Sequence, residues 1–144
     1  APAGADIDED SQVGWLMFLP ILPFEATAMT EAAGLVARIS HETGVPIRAT
    51  INIITDRAID YVISLRFERT PAGIAAAHAA YDRLHREFAA RGFFPYRTAI
   101  DRQDPAVLYG DPVYIDLLKQ LRRTLDPNGV LSSGRYLPDD DRPA

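Results

Sequence analysis

The stretch Ile59-Asp-Tyr-Val-Ile-Ser-Leu-Arg-Phe67 decides the fold, because apolar residues occupy every second position along it. A period of two predicts a strand with one buried face, formed here by Ile59, Tyr61, Ile63, Leu65 and Phe67. The run from Ile47 to Thr55 is rich in β-branched residues, and Asp56-Arg57 separates the two runs. Together they predict a pair of strands joined by a turn.

A helical pattern flanks this strand pair on each side. Upstream, Thr27 is the expected N-cap of a helix that ends at Gly44, with an apolar stripe formed by Met29, Ala32, Ala33, Val36 and Ile39. Downstream, Thr70-Pro71 predicts the start of a second helix that stops at Gly92. Its stripe consists of Ile74, Ala77, His78, Tyr81, Leu84 and Phe88.

Two further strands complete the pattern. The segment from Val13 to Ile21 predicts a buried strand that ends at proline, and Phe93 to Ile100 predicts a short one. The order β-α-β-β-α-β predicts an α+β fold with a split, ferredoxin-like sheet and both helices on one face. Beyond it, Asp111-Pro112 predicts a helix from Val113 to Leu125, followed by a turn at Asp126-Pro-Asn-Gly129.

These elements divide the chain into an acidic lead-in at 1–12, one lobe at 13–101, and a C-terminal helix and tail at 102–144. A length of 144 residues with 47% hydrophobic residues supports one core. The net charge of −5 gives no basic footprint for nucleic acid, and no apolar run reaches the ~18 residues that span a membrane. We therefore expect a soluble protein, in the cytoplasm rather than the periplasm, that binds neither nucleic acid nor membrane.

The composition also excludes several kinds of site. The chain has no cysteine, so disulfides, thiolate zinc sites and cysteine nucleophiles are absent. His41, His78 and His85 are not spaced as a metal-ligand set, and the dispersed glycines form no phosphate-binding loop. The sequence thus predicts no metal site and no dinucleotide site within this chain.

The segment Gly92-Phe-Phe-Pro-Tyr-Arg-Thr98 places a phenol beside a guanidinium. Neighbouring side chains on a strand point to opposite faces, so Tyr96 and Arg97 share a target only if the backbone is kinked near Pro95. If they converge, they can stabilise an anion, because Arg97 stays charged and Tyr96 adds an O–H donor. Composition alone favours a structural tyrosine and a surface salt bridge.

Four segments resemble one known family, in the same order along the chain. They are Val13 to Pro23, the strand pair Thr50 to Ala58 and Tyr61 to Phe67, Gly92 to Arg97, and Leu118 to Tyr136 with its Leu-Asp-Pro-Asn-Gly and Gly-Arg-Tyr. These segments are similar to the substrate lobe and closing signature of the vanillyl-alcohol oxidase and 4-cresol dehydrogenase family of FAD-linked oxidases. The FAD-binding lobe has no counterpart in this chain.

The resemblance implies a role for each matched residue. Tyr96 and Arg97 would be catalytic and hold a phenolate oxygen, Arg97 and Arg135 would lie beside the flavin, and the pocket would include Trp15, Met17, Thr50 and Asp60. Trp15 stands where the vanillyl-alcohol oxidase branch has the histidine that binds FAD covalently, so the expected cofactor is FAD held noncovalently by this chain. Asp60 stands near a pocket histidine of the family, although its alternation alone favours an exposed strand residue.

The resemblance also implies an activity and partners. The chain would be the substrate lobe of a flavin-dependent oxidoreductase that transfers a hydride to FAD from a para-substituted phenol or a benzylic or allylic alcohol. Its partners would be an FAD-binding lobe from the same polypeptide or a separate chain, further copies in a homo-oligomer, and a cytochrome electron acceptor. Two alternatives stay open: a lobe of a 2-hydroxyacid dehydrogenase, in which Arg97 grips a carboxylate, and a noncatalytic ferredoxin-like module for dimerisation or regulation.

Overall fold

The order of helices and strands follows the pattern of the sequence. The computed structural model describes residues 12–97, 99, 111–131 and 137. In this part of the chain the elements are β1 (Val13–Pro23), α1 (Ala26–Thr43), β2 (Ile47–Ile53), β3 (Ala58–Glu68), α2 (Pro71–Ala89), β4 (Pro95–Arg97) and α3 (Pro112–Leu125). The predicted β-α-β-β-α-β order is therefore confirmed, with an additional C-terminal helix.

The four strands form one antiparallel sheet in the order β2-β3-β1-β4. Ile63 of β3 pairs with Phe18 of β1 on one side and with Ala49 of β2 on the other. The two longest strands therefore lie at the centre, and the α+β, ferredoxin-like prediction is confirmed.

Both α1 and α2 pack on the same face of the sheet. The buried cluster takes alternate residues from the central strands, Phe18 and Leu22 from β1 and Ile59, Tyr61, Ile63 and Leu65 from β3. The Phe18 ring meets the edge of the Phe88 ring of α2 at a centroid distance of 5.3 Å. Each of these large apolar side chains stabilises the fold by about 1.5–3 kcal/mol when fully buried. Because the core lies on one face of the sheet only, the alternate residues of each strand must lie on the opposite face.

The helix ends show which capping predictions succeed. The Thr70 side chain accepts a hydrogen bond from the Gly73 N–H at 3.1 Å, and the Asp111 carboxylate accepts one from the Val113 N–H at 2.8 Å. Gly44 ends α1 in the left-handed conformation, with φ 70°, and its N–H donates to the Ser40 carbonyl. These three predicted boundaries are confirmed.

The start of α1 was predicted wrongly. The helix begins at Ala26, its N-cap is Glu25, and Thr27 lies inside the first turn. Strand β1 continues to Pro23, so the helix follows after a two-residue turn in which the Glu25 carbonyl accepts the Met29 N–H. This shift moves the buried stripe to Ala28, Ala32, Leu35, Val36 and Ile39, and Ala33 is exposed.

The fourth strand is shorter than predicted at its start. Phe93 is buried against Phe88, and its N–H donates to the Phe88 carbonyl, so it closes the end of α2 instead of opening a strand. Gly92, with φ 77°, makes this reversal possible. The predicted end at Ile100 lies outside the described residues.

Four charged side chains link the outer surfaces of α1 and α2. Glu87 accepts from Arg83 at 2.7 Å and also pairs with Arg38, while Arg83 pairs with Glu42. Burial is the largest influence on the Glu87 carboxyl and would raise its pKa, but the two guanidiniums together lower it. These ion pairs hold the helices side by side, on the far side of the sheet from the candidate site.

Candidate functional site

The sheet face opposite the helices, here called the outer face, carries the predicted site residues. By strand register, alternate residues that do not enter the core occupy this face. They are Trp15, Met17, Leu19 and Ile21 of β1, Arg48, Thr50 and Asn52 of β2, Asp60, Val62, Ser64 and Arg66 of β3, and Arg97 of β4. Trp15, Met17, Thr50, Asp60 and Arg97 therefore share one surface.

Strand β1 gives this face an apolar row. Trp15 and Met17 are 50% and 47% exposed, whereas Leu19 and Ile21 are half-buried. From the helix side, the Tyr81 hydroxyl donates to the Met17 carbonyl at 3.2 Å. Large exposed apolar side chains on a rigid strand are typical of a binding surface, because the protein gains nothing by leaving them in water.

The structure brings Tyr96 and Arg97 together. The pairing of β4 with β1 slips by one residue, so that Leu19 faces Arg97 while Pro20 faces Pro95. This irregularity supplies the backbone kink that a common target requires, and Pro20 lies at it because proline has no N–H to donate to a regular ladder. The Arg97 guanidinium carbon is 5.8 Å from the centre of the Tyr96 ring, within cation–π range, and both side chains are exposed.

Two more arginines share the outer face. Arg48 lies opposite Ser64, and Arg66 lies opposite Trp15. In the described part of the chain neither Arg48, Arg66 nor Arg97 forms an ion pair. Arg48 and Arg66 were not predicted as site residues, although the alternation of β2 and β3 puts them opposite the core. Three guanidiniums without acidic partners make the face suited to an anion.

Asp60 is one of two acidic residues that the register places on the outer face within the described strands, the other being Glu68 at the end of β3, opposite Val13. The expectation that it is exposed is wrong, because the side chain is only 8% exposed. Alternation assigns a face but not an exposure, and Asp60 lies in a central strand between Ile21 of β1 and Asn52 of β2. Its Oδ1 atom is buried and has no hydrogen-bond partner. The adjacent Tyr61 belongs to the core, where burial raises the pKa of its phenol.

The remaining predicted residues are less closely grouped. Thr50 lies on the sheet edge opposite Val62 and is exposed. Trp15 and Asp60 lie six residue pairs apart along the β1–β3 ladder, far from each other on the outer face. Arg135 lies outside the described residues, so its predicted place beside Arg97 has no structural counterpart here.

Helix α3 provides a second exposed apolar surface, here called the α3 stripe. Tyr114, Leu117, Leu121 and Leu125 fall within roughly 80° of the helix circumference. None of the helix residues is buried, and Leu117 and Leu125 are 49% and 78% exposed. The polar sides of α3 carry Lys119, Gln120 and Arg123, so α3 is an amphipathic helix whose apolar stripe is exposed.

Asp126 orders the turn that follows α3. Its carboxylate accepts hydrogen bonds from the Val130 N–H at 2.9 Å and the Leu131 N–H at 2.8 Å. The Leu131 N–H lowers the pKa of the Asp126 carboxyl most, partial burial opposes this, and the Val130 N–H and the Arg122 charge lower it further. The predicted turn at Asp126 to Gly129 is thereby confirmed, with Gly129 at φ 61°.

Replacing Asp126 with alanine is expected to raise amide hydrogen exchange at Val130 and Leu131 severalfold, because both N–H groups lose their acceptor. In the unaltered protein the folded pKa lies below the unfolded one. The protection of these two amides should therefore be greatest above the ordinary aspartate pKa. It should decline as the pH falls through the pKa of Asp126 in the folded protein. The exposed Asp116 of α3 supplies the control, Asp116→Ala. Equal protection in both variants would contradict the role of Asp126.

The described residues contain neither a metal-ligand cluster nor a membrane-spanning helix. No group of three or more histidine, aspartate or glutamate side chains is placed to hold a metal ion there. Nor does any described helix combine the length and apolar character needed to cross a membrane.

Comparison with known proteins supplies the remaining evidence. No protein-family profile matches the chain. It is 28% identical over 123 residues to the 4-cresol dehydrogenase [hydroxylating] flavoprotein subunit of Pseudomonas putida, covering 85% of this chain and 23% of that protein. It is 29% identical over 140 residues to 1'-carboxy-chondrochloren decarboxylase of Chondromyces crocatus, covering 94% of this chain and 25% of that protein.

Solved structures agree with these relatives. The crystal structure of p-cresol methylhydroxylase with substrate bound superposes with a TM-score of 0.79 and 26% identity, covering 91% of this chain and 25% of that one. The 4-ethylphenol oxidase of Gulosibacter chungangensis, in complex with isoeugenol, gives a TM-score of 0.74 at 20% identity over 91% of this chain and 26% of that one, a likeness of fold. The chain spans about a quarter of the length of each protein that it matches.

Proposed function

We propose that this chain is the C-terminal lobe of a member of the vanillyl-alcohol oxidase and 4-cresol dehydrogenase family, and that it forms the substrate side of a flavin-dependent oxidoreductase; its similarity to the 4-cresol dehydrogenase flavoprotein subunit and to p-cresol methylhydroxylase supports this. Since it spans about a quarter of its relatives, the FAD-binding lobe comes from the rest of the polypeptide or from a second chain. The preferred substrate is a para-substituted phenol or a benzylic or allylic alcohol.

The observation that carries this proposal is the proximity of Arg97 and Tyr96. The Arg97 guanidinium lies 5.8 Å from the centre of the Tyr96 ring, and it forms no ion pair with a carboxylate of the described chain. A fixed cation with an adjacent O–H donor stabilises a phenolate oxygen. Ionising the phenol in turn raises the electron density at its para carbon substituent, from which a hydride leaves.

The fit of the outer face to a flavin rests on the same residues. FAD, when bound, accepts the hydride and becomes more negative on its pyrimidine edge. We propose that Arg97 stabilises that charge and that Arg135 assists it. The exposed Trp15 and Met17 give an apolar floor that excludes water from an aromatic ring. Trp15 has no nucleophilic nitrogen comparable with that of histidine, which supports noncovalent binding of FAD by this chain.

The α3 stripe supports a partner lobe. The residues of this apolar stripe are 46–78% exposed and do not belong to the buried core of this lobe. Burying such a stripe against a second protein surface is favourable by about 25 cal/mol per Å² of apolar area. We propose that α3 and the following tail pack on the FAD-binding lobe, and that the full enzyme forms a homo-oligomer, with a cytochrome as one possible class of electron acceptor.

A second candidate keeps the flavin and changes the substrate to a carboxylate-bearing one, as in a 2-hydroxyacid dehydrogenase. The unpaired Arg48, Arg66 and Arg97 favour this candidate, because a guanidinium binds a carboxylate through two parallel hydrogen bonds. The noncatalytic alternative has less support, because the curated relatives described above are named as enzymes.

Anaerobic flavin reduction separates the candidates. The assembled flavoprotein is expected to lose its flavin absorbance when mixed with 4-ethylphenol or 4-hydroxybenzyl alcohol, and to keep it with a 2-hydroxyacid such as lactate. Bleaching by the hydroxyacid alone would support the second candidate. No bleaching by any phenol would refute the first.

A further inference from the structure

The carboxylate of Asp60 is buried without a partner for one of its oxygens. The residue is 8% exposed, and among the residues that the structure describes none donates a hydrogen bond to its Oδ1 atom. A buried charge or polar atom without a partner is unfavourable, and proteins retain one mainly where a ligand or another chain completes it. Asp60 is therefore not explained by the packing of this lobe.

Asp60 and Arg97 lie on either side of strand β1, and the distance between them limits the size of a ligand that could contact both. Arg97 lies opposite Leu19, and Asp60 lies opposite Ile21, so strand β1 runs between them on the outer face. Their Cα atoms are two strand spacings apart across the sheet and one two-residue step apart along the strand direction. The combined distance is about 12 Å. The long side chain of Arg97 covers part of this distance, and the apolar Leu19 and Ile21 lie beneath the remainder.

Asp60 lies at one end of the outer face. Arg48, Arg66 and Arg97 lie level with Met17, Trp15 and Leu19 respectively, Asp60 lies beyond them, level with Ile21, and Glu68 lies at the other end, level with Val13. An aromatic ring above Leu19 and Ile21, with its anionic oxygen at Tyr96 and Arg97, directs its opposite end toward Asp60. A hydrogen-bond donor there would satisfy the free oxygen, while an alkyl group would leave it unsatisfied.

We propose that Asp60 selects the substrate, by accepting a hydrogen bond from an N–H or O–H donor on the para substituent of the phenol. The preferred substrates are then phenols with a hydroxyl or amino group at that end, rather than simple alkylphenols. This inference rests on the proposed function, because it places the phenolate end at Tyr96 and Arg97. A donor from the FAD-binding lobe is the competing explanation for the free oxygen, and the test distinguishes it.

The test compares two probes that lack an oxidisable benzylic C–H bond. 4-Hydroxybenzamide and 4-hydroxyacetophenone have nearly the same shape, but the first carries an NH₂ donor where the second carries a methyl group. Their dissociation constants are measured with the assembled flavoprotein by titration of the flavin absorbance, or by calorimetry. We expect the amide to bind at least about tenfold more tightly, because a hydrogen bond to a buried carboxylate is among the stronger ones.

Variants assign the preference to Asp60. Asp60→Leu should abolish it by weakening binding of the amide and not of the ketone, and Asp60→Asn, which retains a carbonyl acceptor, should reduce it. Asp56→Asn in the exposed β2–β3 turn is the matched control and should leave it unchanged. If Asp60→Leu does not fold, the Asp60→Asn variant provides the test. An unchanged preference of Asp60→Asn for the amide over the ketone would contradict the proposal.

The outcomes separate this inference from the proposed function. Equal affinities in the unaltered protein, or a preference that survives at Asp60→Leu, would overturn the role of Asp60 and leave phenol binding intact. If Asp60→Leu weakens the binding of both probes equally and also makes the flavin dissociate more readily, the donor to Asp60 belongs to the FAD-binding lobe. That result would also overturn the proposed role of Asp60. If neither probe binds, the proposed function itself fails.

Discussion

Replacing Arg97 with alanine is expected to lower kcat by about 10²–10³-fold in the assembled flavoprotein while changing its flavin content little. The magnitude is that of removing one preorganised donor from a site where negative charge develops. Arg97 is suited to this because no acidic side chain in the described chain neutralises its charge and because the β1–β4 register slip fixes it beside Tyr96. Substrate ionisation and flavin reduction would both lose the same cation.

The prediction is checked by stopped-flow reduction of the flavin with 4-ethylphenol, alongside the ratio of flavin to protein. Arg97→Lys should fall between the alanine variant and the unaltered protein, because lysine keeps the charge and loses the planar fork of donors. Arg48→Ala, on the edge strand of the same face, is the matched control and should retain most of the activity. Unchanged reduction by the Arg97→Ala protein would refute the role assigned to this residue.

The fold was predictable because its strongest local signals agree. The alternation from Ile59 to Phe67 specified the core face of β3, and four of its five apolar residues are buried. Thr70-Pro71 and Asp111-Pro112 specified helix starts through a capping side chain next to a proline. Such signals act within a few residues, so a single sequence contains them completely.

The start of α1 depended on a competing effect. Thr27 is a good capping residue, yet pairing between β1 and β3 continues to Pro23 and leaves only Phe24 and Glu25 before the helix. Strand pairing with a distant segment thus determined where the helix begins. A local capping preference of about 1 kcal/mol does not outweigh a complete strand ladder.

The candidate site was less predictable, because its geometry arises between strands. Period-two alternation places Tyr96 and Arg97 on opposite faces, and only the slip against Leu19 and Pro20 brings them together. The burial of Asp60 likewise depends on Ile21 and Asn52, which lie 39 and 8 residues away in the sequence. The family resemblance pointed to these positions, but neither contact follows from the residues alone.

The α3 stripe offers the second large expected effect. Leu121→Asp should weaken the proposed packing of α3 on the FAD-binding lobe by at least about 3 kcal/mol. Loss of a buried leucine accounts for roughly 1.5–3 kcal/mol, and burial of an unpaired carboxylate adds to it. A change of this size is more than a hundredfold in the equilibrium between packed and separated lobes.

The measurement for α3 is the temperature at which flavin fluorescence appears as the assembled protein is heated. Leu121→Asp should lower this temperature by several degrees, because separation of the lobes exposes the flavin to water. Gln120→Asp adds the same charge to the neighbouring exposed position, about 100° away around the helix, and should leave the temperature nearly unchanged. If the two variants behave alike, charge and not burial of the stripe explains the effect, and α3 is not the contact with the flavin-binding lobe. A selective effect of Leu121→Asp, by contrast, would link the apolar stripe to the retention of flavin in the assembled protein.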